Sequence, residues 1–358
     1  MVDTLFPGIV AHRVTTPRLT ANVLERRADA AADHVRTVVF VHGNVSSSLF
    51  WQPTMLALPG EIRALAVDLR GYGDSDVLPV DATRGVRDFS DDLASVIDEL
   101  GLGAVHLVGW SLGGGVVMQL LLDRPDLVAS LTLQAPVSPY GFGGTATDGS
   151  LLTPDGAGTG GGASNPDFVA RLAAGDRSDE PGSPRAVFRS SYVAPGYESP
   201  YEDIWVESML STATGPDNNP GDATASESWP GFAPGGRGVL NTLAPTVFDT
   251  TAIVHADPKP PILWIRGALD AIVGDASFFD LNQLGKAGIV PGWPGDDVAP
   301  PQQMIVQTRA VLDRYAAQGG AVTELQLQQC GHSPHLECPD EFRTALLTLL
   351  EADAAAAA

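Results

Sequence analysis

The sequence predicts an α/β protein: a mostly parallel, eight-stranded sheet with helices on both faces, interrupted by one long insertion. Three observations carry this reading. Short apolar runs alternate with segments of helical periodicity from Val35 to Leu133, and again from Pro261 to Leu350. Several of the runs are continuously apolar, the pattern of strands covered on both faces. Between the two stretches, Ser138–Pro258 loses the rhythm and is dense in Gly, Pro, Ser and Asp.

Each element has its own signal. Arg13–Glu25 holds two alternating runs around a Thr-Thr-Pro-Arg turn and reads as an opening hairpin. Val35–Val41 is a buried strand, and Leu49, Phe50, Met55 and Leu56 suggest a helix after it. Ile62–Leu69 is the next buried run, followed by Phe89, Leu93, Val96, Ile97 and Leu100 at helical spacing. Val105–Gly109 is a strand, Leu112–Leu122 a helix stopped by Pro125, and Leu127–Leu133 a strand. Within the insertion, Asp167–Ala174, Arg185–Tyr192 and Tyr201–Leu210 are short helix candidates. The tracts Gly141–Ser164 and Thr214–Gly238 bury little apolar surface by composition and are expected to be weakly ordered. The sheet resumes with Pro261–Arg266, a helix over Gln303–Ala317, a strand Val322–Gln328 and a helix Phe342–Leu350. The expected division is a core at 1–137, a lid at 138–258, the rest of the core at 259–353 with an excursion at 275–300, and a frayed tail at 354–358.

Composition removes several functions. Of 358 residues, 44% are apolar and 18% charged, enough for a sizeable core and too few charges for disorder. The net charge of −22 repels nucleic-acid phosphates and anionic membrane surfaces, so neither is an expected partner. No apolar run approaches the ~18 residues of a membrane span, and Met1–Val10 lacks the pattern of a secretory signal. The expected setting is cytoplasmic. With two cysteines, Cys330 and Cys338, the chain is no disulfide scaffold.

Chemistry concentrates at strand ends. Gly109-Trp110-Ser111-Leu112-Gly113 fits G-x-S-x-G where a buried strand turns into a helix, the setting of a strained elbow that projects a serine hydroxyl. A serine needs a base, and the base an orienting acid. Of seven histidines, only His332 and His335 follow the last strand; His332, directly after Gly331, is the expected base, and His335 is assigned to the pocket wall. Asp270, just past the Trp264 strand, faces the same sheet edge and is the expected acid, with Asp275 as the alternative. His42, between a buried strand and Gly43, is read as shaping a turn. That turn presents the Asn44 N–H, which with the Leu112 N–H makes an oxyanion hole. Cys330, His332, His335, Glu337 and Cys338 crowd together, yet no second ligand cluster exists, so neither metal nor other cofactor is expected.

In these motifs the chain resembles the α/β-hydrolase superfamily, in its subgroup with a helical cap. The matching residues are His42-Gly43-Asn44, Asp68 to Ser75, the elbow around Ser111, and Gly331-His332 with His335-Leu336-Glu337. The resemblance covers about Val35–Ala135 and Pro261–Leu350. It implies Ser111 as nucleophile, His332 as base, Asp270 as acid, and Asn44 and Leu112 as oxyanion donors. Ser111 stands where haloalkane dehalogenases and epoxide hydrolases carry aspartate, and the Gly-Trp-Ser-Leu-Gly-Gly elbow is similar to that of carboxylesterases and enol-lactonases.

The expected activity is hydrolysis of a mostly apolar carboxylic ester or lactone through an acyl-serine. The alternatives on the same triad are a carbon–carbon bond hydrolase and an aminopeptidase or amidase. In another class stand an acyltransferase and a slow-turnover ligand-binding protein. The insertion offers Phe168, Tyr192, Tyr201 and Trp205 as pocket walls, and the excursion adds Phe278, Phe279, Leu281 and Leu284, beside Trp110 from the elbow. Glu198, Glu202, Asp203 and Glu207 keep recognition of a substrate amine open.

Overall fold

In the computed structural model, which describes residues 3–27 and 36–357, β1 (Val10–Thr15) and β2 (Thr20–Arg26) form the expected antiparallel hairpin. Then follow β3 (Arg36–Val41), α1 (Gln52–Ala57), β4 (Ile62–Val67), α2 (Arg87–Glu99), β5 (Val105–Trp110), α3 (Leu112–Asp123) and β6 (Val128–Gln134). Val35, the expected first residue of the third strand, lies outside the described residues. After the insertion come β7 (Ile262–Gly267), α8 (Met304–Ala317), β8 (Val322–Leu327) and α10 (Pro339–Ala357), with α7 (Leu281–Lys286) in the excursion and α9 (Pro334–Glu337) before α10. The last helix differs from expectation: it starts earlier and takes in the Ala-rich tail, since alanine is the strongest helix former.

The eight strands form one sheet in the order β1-β2-β4-β3-β5-β6-β7-β8. β2 pairs antiparallel with β4, and every pair from β4 to β8 is parallel. Parallel strands buried on both faces require the apolar runs read in the sequence, and β5 is buried at all six positions. One core cluster packs α2, α3 and α8 on the first face. A second gathers Phe50, Trp51, Trp110, Trp205 and Phe342 on the other.

The insertion is built from short pieces: α4 (Pro166–Ala173), α5 (Pro184–Val187) running into a single π-turn at Phe188–Tyr192, and α6 (Glu202–Leu210). Two minor ladders, Thr214–Gly215 with Asn219–Pro220 and Ala223–Ala225 with Phe232–Pro234, complete it. The Gly-rich tracts are held more firmly than their composition suggests. Buried Gln302 donates to Gly141 O, Thr145 Oγ1 and Gln307 Oε1 and accepts from Gly143 N–H, while Asn241 accepts from Gly161 N–H and donates to Asp222 and Arg237 carbonyls. Among the described residues no helix is long and apolar enough to cross a membrane.

Candidate active site

The elbow is steric before it is chemical. Ser111, between β5 and α3, adopts φ 56°, ψ −116°. Non-glycine residues rarely hold positive φ, and among the described residues those that do are Val45, Ser111 and Ala135. The first two line one cavity, and the third lies just past β6 beside the elbow. Strain gathers where geometry must be held. The flanking glycines make the turn feasible: a Cβ on Gly113 would stand 2.5 Å from Val41 O, and one on Gly109 2.4 Å from Gly113 O.

β7 and β8 deliver the other two groups to the same edge. Asp270 Oδ1 accepts from the Ile272 and Val273 N–H groups at 2.8 and 2.9 Å, and its Oδ2 meets His332 Nδ1 at 2.8 Å. The carboxylate can only accept, so Nδ1 carries the hydrogen and Nε2 is left as an acceptor. Both side chains are nearly closed to solvent. His332 and Ser111 line the same cavity, although no hydrogen bond links Ser111 Oγ to Nε2; such bonds are often long before substrate binds. Trp110 fastens the arrangement by donating from Nε1 to His332 O at 2.8 Å. Asp275 has another task, accepting from Ile305 and Val306 N–H at the start of α8.

The turn after β3 meets the elbow from the opposite side. Leu69 N–H donates to His42 Nε2 at 3.0 Å, which places the imidazole hydrogen on Nδ1, donating to Gly43 O at 2.7 Å. Burial lowers the pKa of His42, in keeping with a neutral ring that shapes the turn. Tyr72 OH binds Asn44 Oδ1 at 2.6 Å, and Tyr192 OH donates to the Asn44 carbonyl at 2.9 Å. The side-chain oxygen and the carbonyl of Asn44 are thus both engaged, and Asn44 itself lies on the cavity wall. The Leu112 N–H, at the first residue of α3, stands beside Ser111.

The cavity measures about 370 Å³. Trp110, Phe168, Tyr192, Phe278, Phe279, Leu281 and Leu284 line it, as expected from sequence. Three expected wall residues do not. Tyr201 is 43% exposed and packs on Phe6 at 4.6 Å, because it precedes α6 on the outer surface. Trp205, on the inner face of α6, is buried and stacks on Phe50 at 5.0 Å, filling the core beneath the insertion. His335 is turned inward by α9, lies 4.3 Å from the Trp51 ring and accepts from Gln134 Nε2 at 2.8 Å. Burial, and then the nearby His332, pull its pKa down to about 3.

Sequence reasoning missed Phe142, Thr159, Asn219, Leu240, Leu243 and Asp280, all on the wall. Long-range folding of the insertion brings most of them in, and no local motif marks them. Glu337, which the sequence marks only as part of the last motif, has a role of its own. Its carboxylate accepts from the main-chain N–H groups of Ala194, Gly331 and Ser333, tying both sides of His332 to the insertion. The crowded Cys330–Cys338 stretch thus points its polar groups apart, to Asp270, Gln134 and main chain. Among the described residues no cluster of three or more His, Cys, Asp or Glu is placed to hold a metal ion.

Comparison with known proteins agrees with this architecture. Residues 36–157 match the family model for the alpha/beta hydrolase fold. The chain is similar to carboxylesterase YbfK of Bacillus subtilis, 32% identical over 104 residues, 29% of this chain and 35% of that protein. It is also similar to 2-(acetamidomethylene)succinate hydrolase of Mesorhizobium japonicum, 34% identical over 131 residues, 37% and 44% of the two chains. The matches therefore span less than half the length of these relatives. A solved esterase from Exiguobacterium antarcticum superposes with a TM-score of 0.58 at 16% identity, covering 96% of this chain and 100% of that one. The chain has the α/β-hydrolase fold.

Proposed function

We propose that the chain is a serine hydrolase cleaving a mostly apolar carboxylic ester or lactone. The observation that carries the reading is the 2.8 Å His332–Asp270 contact beside a strained Ser111, with serine and imidazole on one cavity. In the reaction, His332 Nε2 takes the Ser111 proton as Oγ attacks the substrate carbonyl. The Asn44 and Leu112 N–H groups stabilise the oxyanion. The intermediate collapses to an acyl-serine as the imidazolium returns its proton to the leaving alcohol. Water, deprotonated by the same nitrogen, then releases the acid and regenerates Ser111. Asp270 orients the ring and stabilises its charged form. Residues 138–258, with the excursion at 275–300, act as a cap over a small-molecule site, and the aromatic lining supports an apolar substrate.

A fluorophosphonate probe tests this directly. Wild type is expected to label at Ser111 and to hydrolyse p-nitrophenyl esters, and Ser111→Ala to do neither. An unlabelled wild type without esterase activity would overturn the reading in favour of a binding protein.

A further inference from the structure

Among the described residues, the side chains on the cavity wall that carry a carboxyl or imidazole group are Asp280 and His332, and none is Lys or Arg. Asp280 is 2% exposed and precedes α7. Its Oδ1 accepts from Asn282 N–H at 3.1 Å and its Oδ2 from Gln302 N–H at 2.7 Å. A carboxylate offers about four lone-pair positions, so each oxygen retains an unused one. Gly143, on the same wall, stands beside Oδ1: a Cβ there would lie 3.8 Å from that oxygen and 3.3 Å from Thr159 Cγ2. Burial raises the carboxyl pKa to about 6. A buried carboxylate with spare acceptor positions gains when a donor reaches it.

We propose that Asp280 sets specificity, accepting a hydrogen bond from an ammonium or hydroxyl group on a part of the substrate other than the reacting carbonyl. This rests on the ester-hydrolase reading and narrows its substrate class to apolar esters that carry one donor group. The carboxylates singled out in the sequence do not serve. None of Glu198, Glu202, Asp203 and Glu207 lines the cavity, and Arg185 pairs with Glu202 and Asp203 while Arg177 pairs with Glu207.

The test compares kcat/KM for p-nitrophenyl 6-aminohexanoate, 6-hydroxyhexanoate and heptanoate in wild type and Asp280→Asn. The amide oxygen of Asn keeps one acceptor for the main chain, so the variant is a conservative one. Wild type is expected to favour at least one donor-bearing ester over heptanoate by about ten- to a hundredfold. Asp280→Asn should lose that preference, read within the variant as the ratio of kcat/KM for the donor-bearing ester to that for heptanoate. The arm that responds tells ammonium from hydroxyl. A donor on the alcohol side is covered by calorimetric binding of phenylpropylammonium, phenylpropanol and butylbenzene to Ser111→Ala and to Ser111→Ala with Asp280→Asn. Equal losses on all three esters would make Asp280 merely structural, and equal affinities for the three probes would overturn the proposal. If wild type cleaves none of the esters, the hydrolase reading fails separately and the binding measurement still decides the role of Asp280.

Discussion

The floor and the roof of the cavity are built by different physics. Asn44, Ser111 and His332 on the floor, and Asp270 behind the imidazole, follow β3, β5, β8 and β7, and their positions come from main-chain geometry anchored in the sheet. Positive φ at Val45 and Ser111 is sustained by close packing around them. The roof has short elements, and its inner side is fixed by buried amides: Gln302, Gln307 and Asn241. Its outer side carries ion pairs such as Arg189 with Glu202 and Asp179. Local sequence specifies the floor, and contacts distant in sequence specify the roof.

The sharpest way to break this contrast is at the acid. Asp270→Asn is expected to lower kcat by about 10⁴, as when an orienting carboxylate is lost and the imidazole tautomer is wrong. Asp275→Asn should leave kcat within a few fold and act on stability, because Asp275 serves the start of α8. Steady-state kinetics beside thermal melting separates the two. Greater catalytic damage from Asp275→Asn would move the acid off the floor.

Most of the floor was legible because each motif couples residue type to local backbone. Gly109 and Gly113 announce the elbow, and Asp270 and His332 each follow a readable strand. The two histidines of the last loop mark the limit. His332 is expected beside Asp270 and meets it at 2.8 Å, whereas His335 is expected on the wall and is sealed under it. Pro334 starts α9 two residues after His332, and one helical turn carries the next ring inward to Gln134. Tyr201 and Trp205 depart from expectation for a related reason: aromatic content does not reveal that the residue before α6 faces outward, or which face of that helix meets the core. Asp280 went unnoticed because its place on the wall depends on how the whole excursion folds.

His335 gives the second prediction. Its folded pKa of about 3 lies below the ordinary 6.5, so the unfolded chain binds one more proton across that interval. Its contribution to stability is full above pH 6.5 and is lost as pH falls toward 3. His42 acts in the same direction. Asp280 opposes them: its raised pKa gives stability that is present below 3.8 and lost as pH rises through about 6. Glu337, raised by burial, opposes them too, so urea titrations between pH 4 and 8 are compared between wild type and His335→Gln. The slope of stability against pH should be less positive in His335→Gln by up to about 1.4 kcal/mol per pH unit, the value for one proton. Identical slopes in the two proteins would mean that His335 is not held neutral by its surroundings.

The smallest expected effect tests the roof itself. Gln302 occupies the centre of its amide network, and Leu has similar volume with no polar group. Gln302→Leu leaves the Gly143 N–H without its acceptor and the Gly141 carbonyl without its donor, while Thr145 keeps the hydrogen bond from Gln307. Stranding such buried groups costs about 1–3 kcal/mol, more than the ~0.2–1 kcal/mol of an exposed ion pair such as Arg189–Asp179. The loss should be local. Limited proteolysis of the variant is expected to begin within Gly141–Ser164, and KM should rise more than kcat falls, because the loosened wall includes Phe142 and Gly143 while Ser111, His332 and Asp270 keep their own supports. In wild type, where the amides close that tract, cleavage there should be slow. Rapid cutting of wild type at Gly141–Ser164 would show that composition, with its low apolar content, governs the roof after all. An equal fall of kcat in Gln302→Leu would show that floor and roof are one mechanical unit.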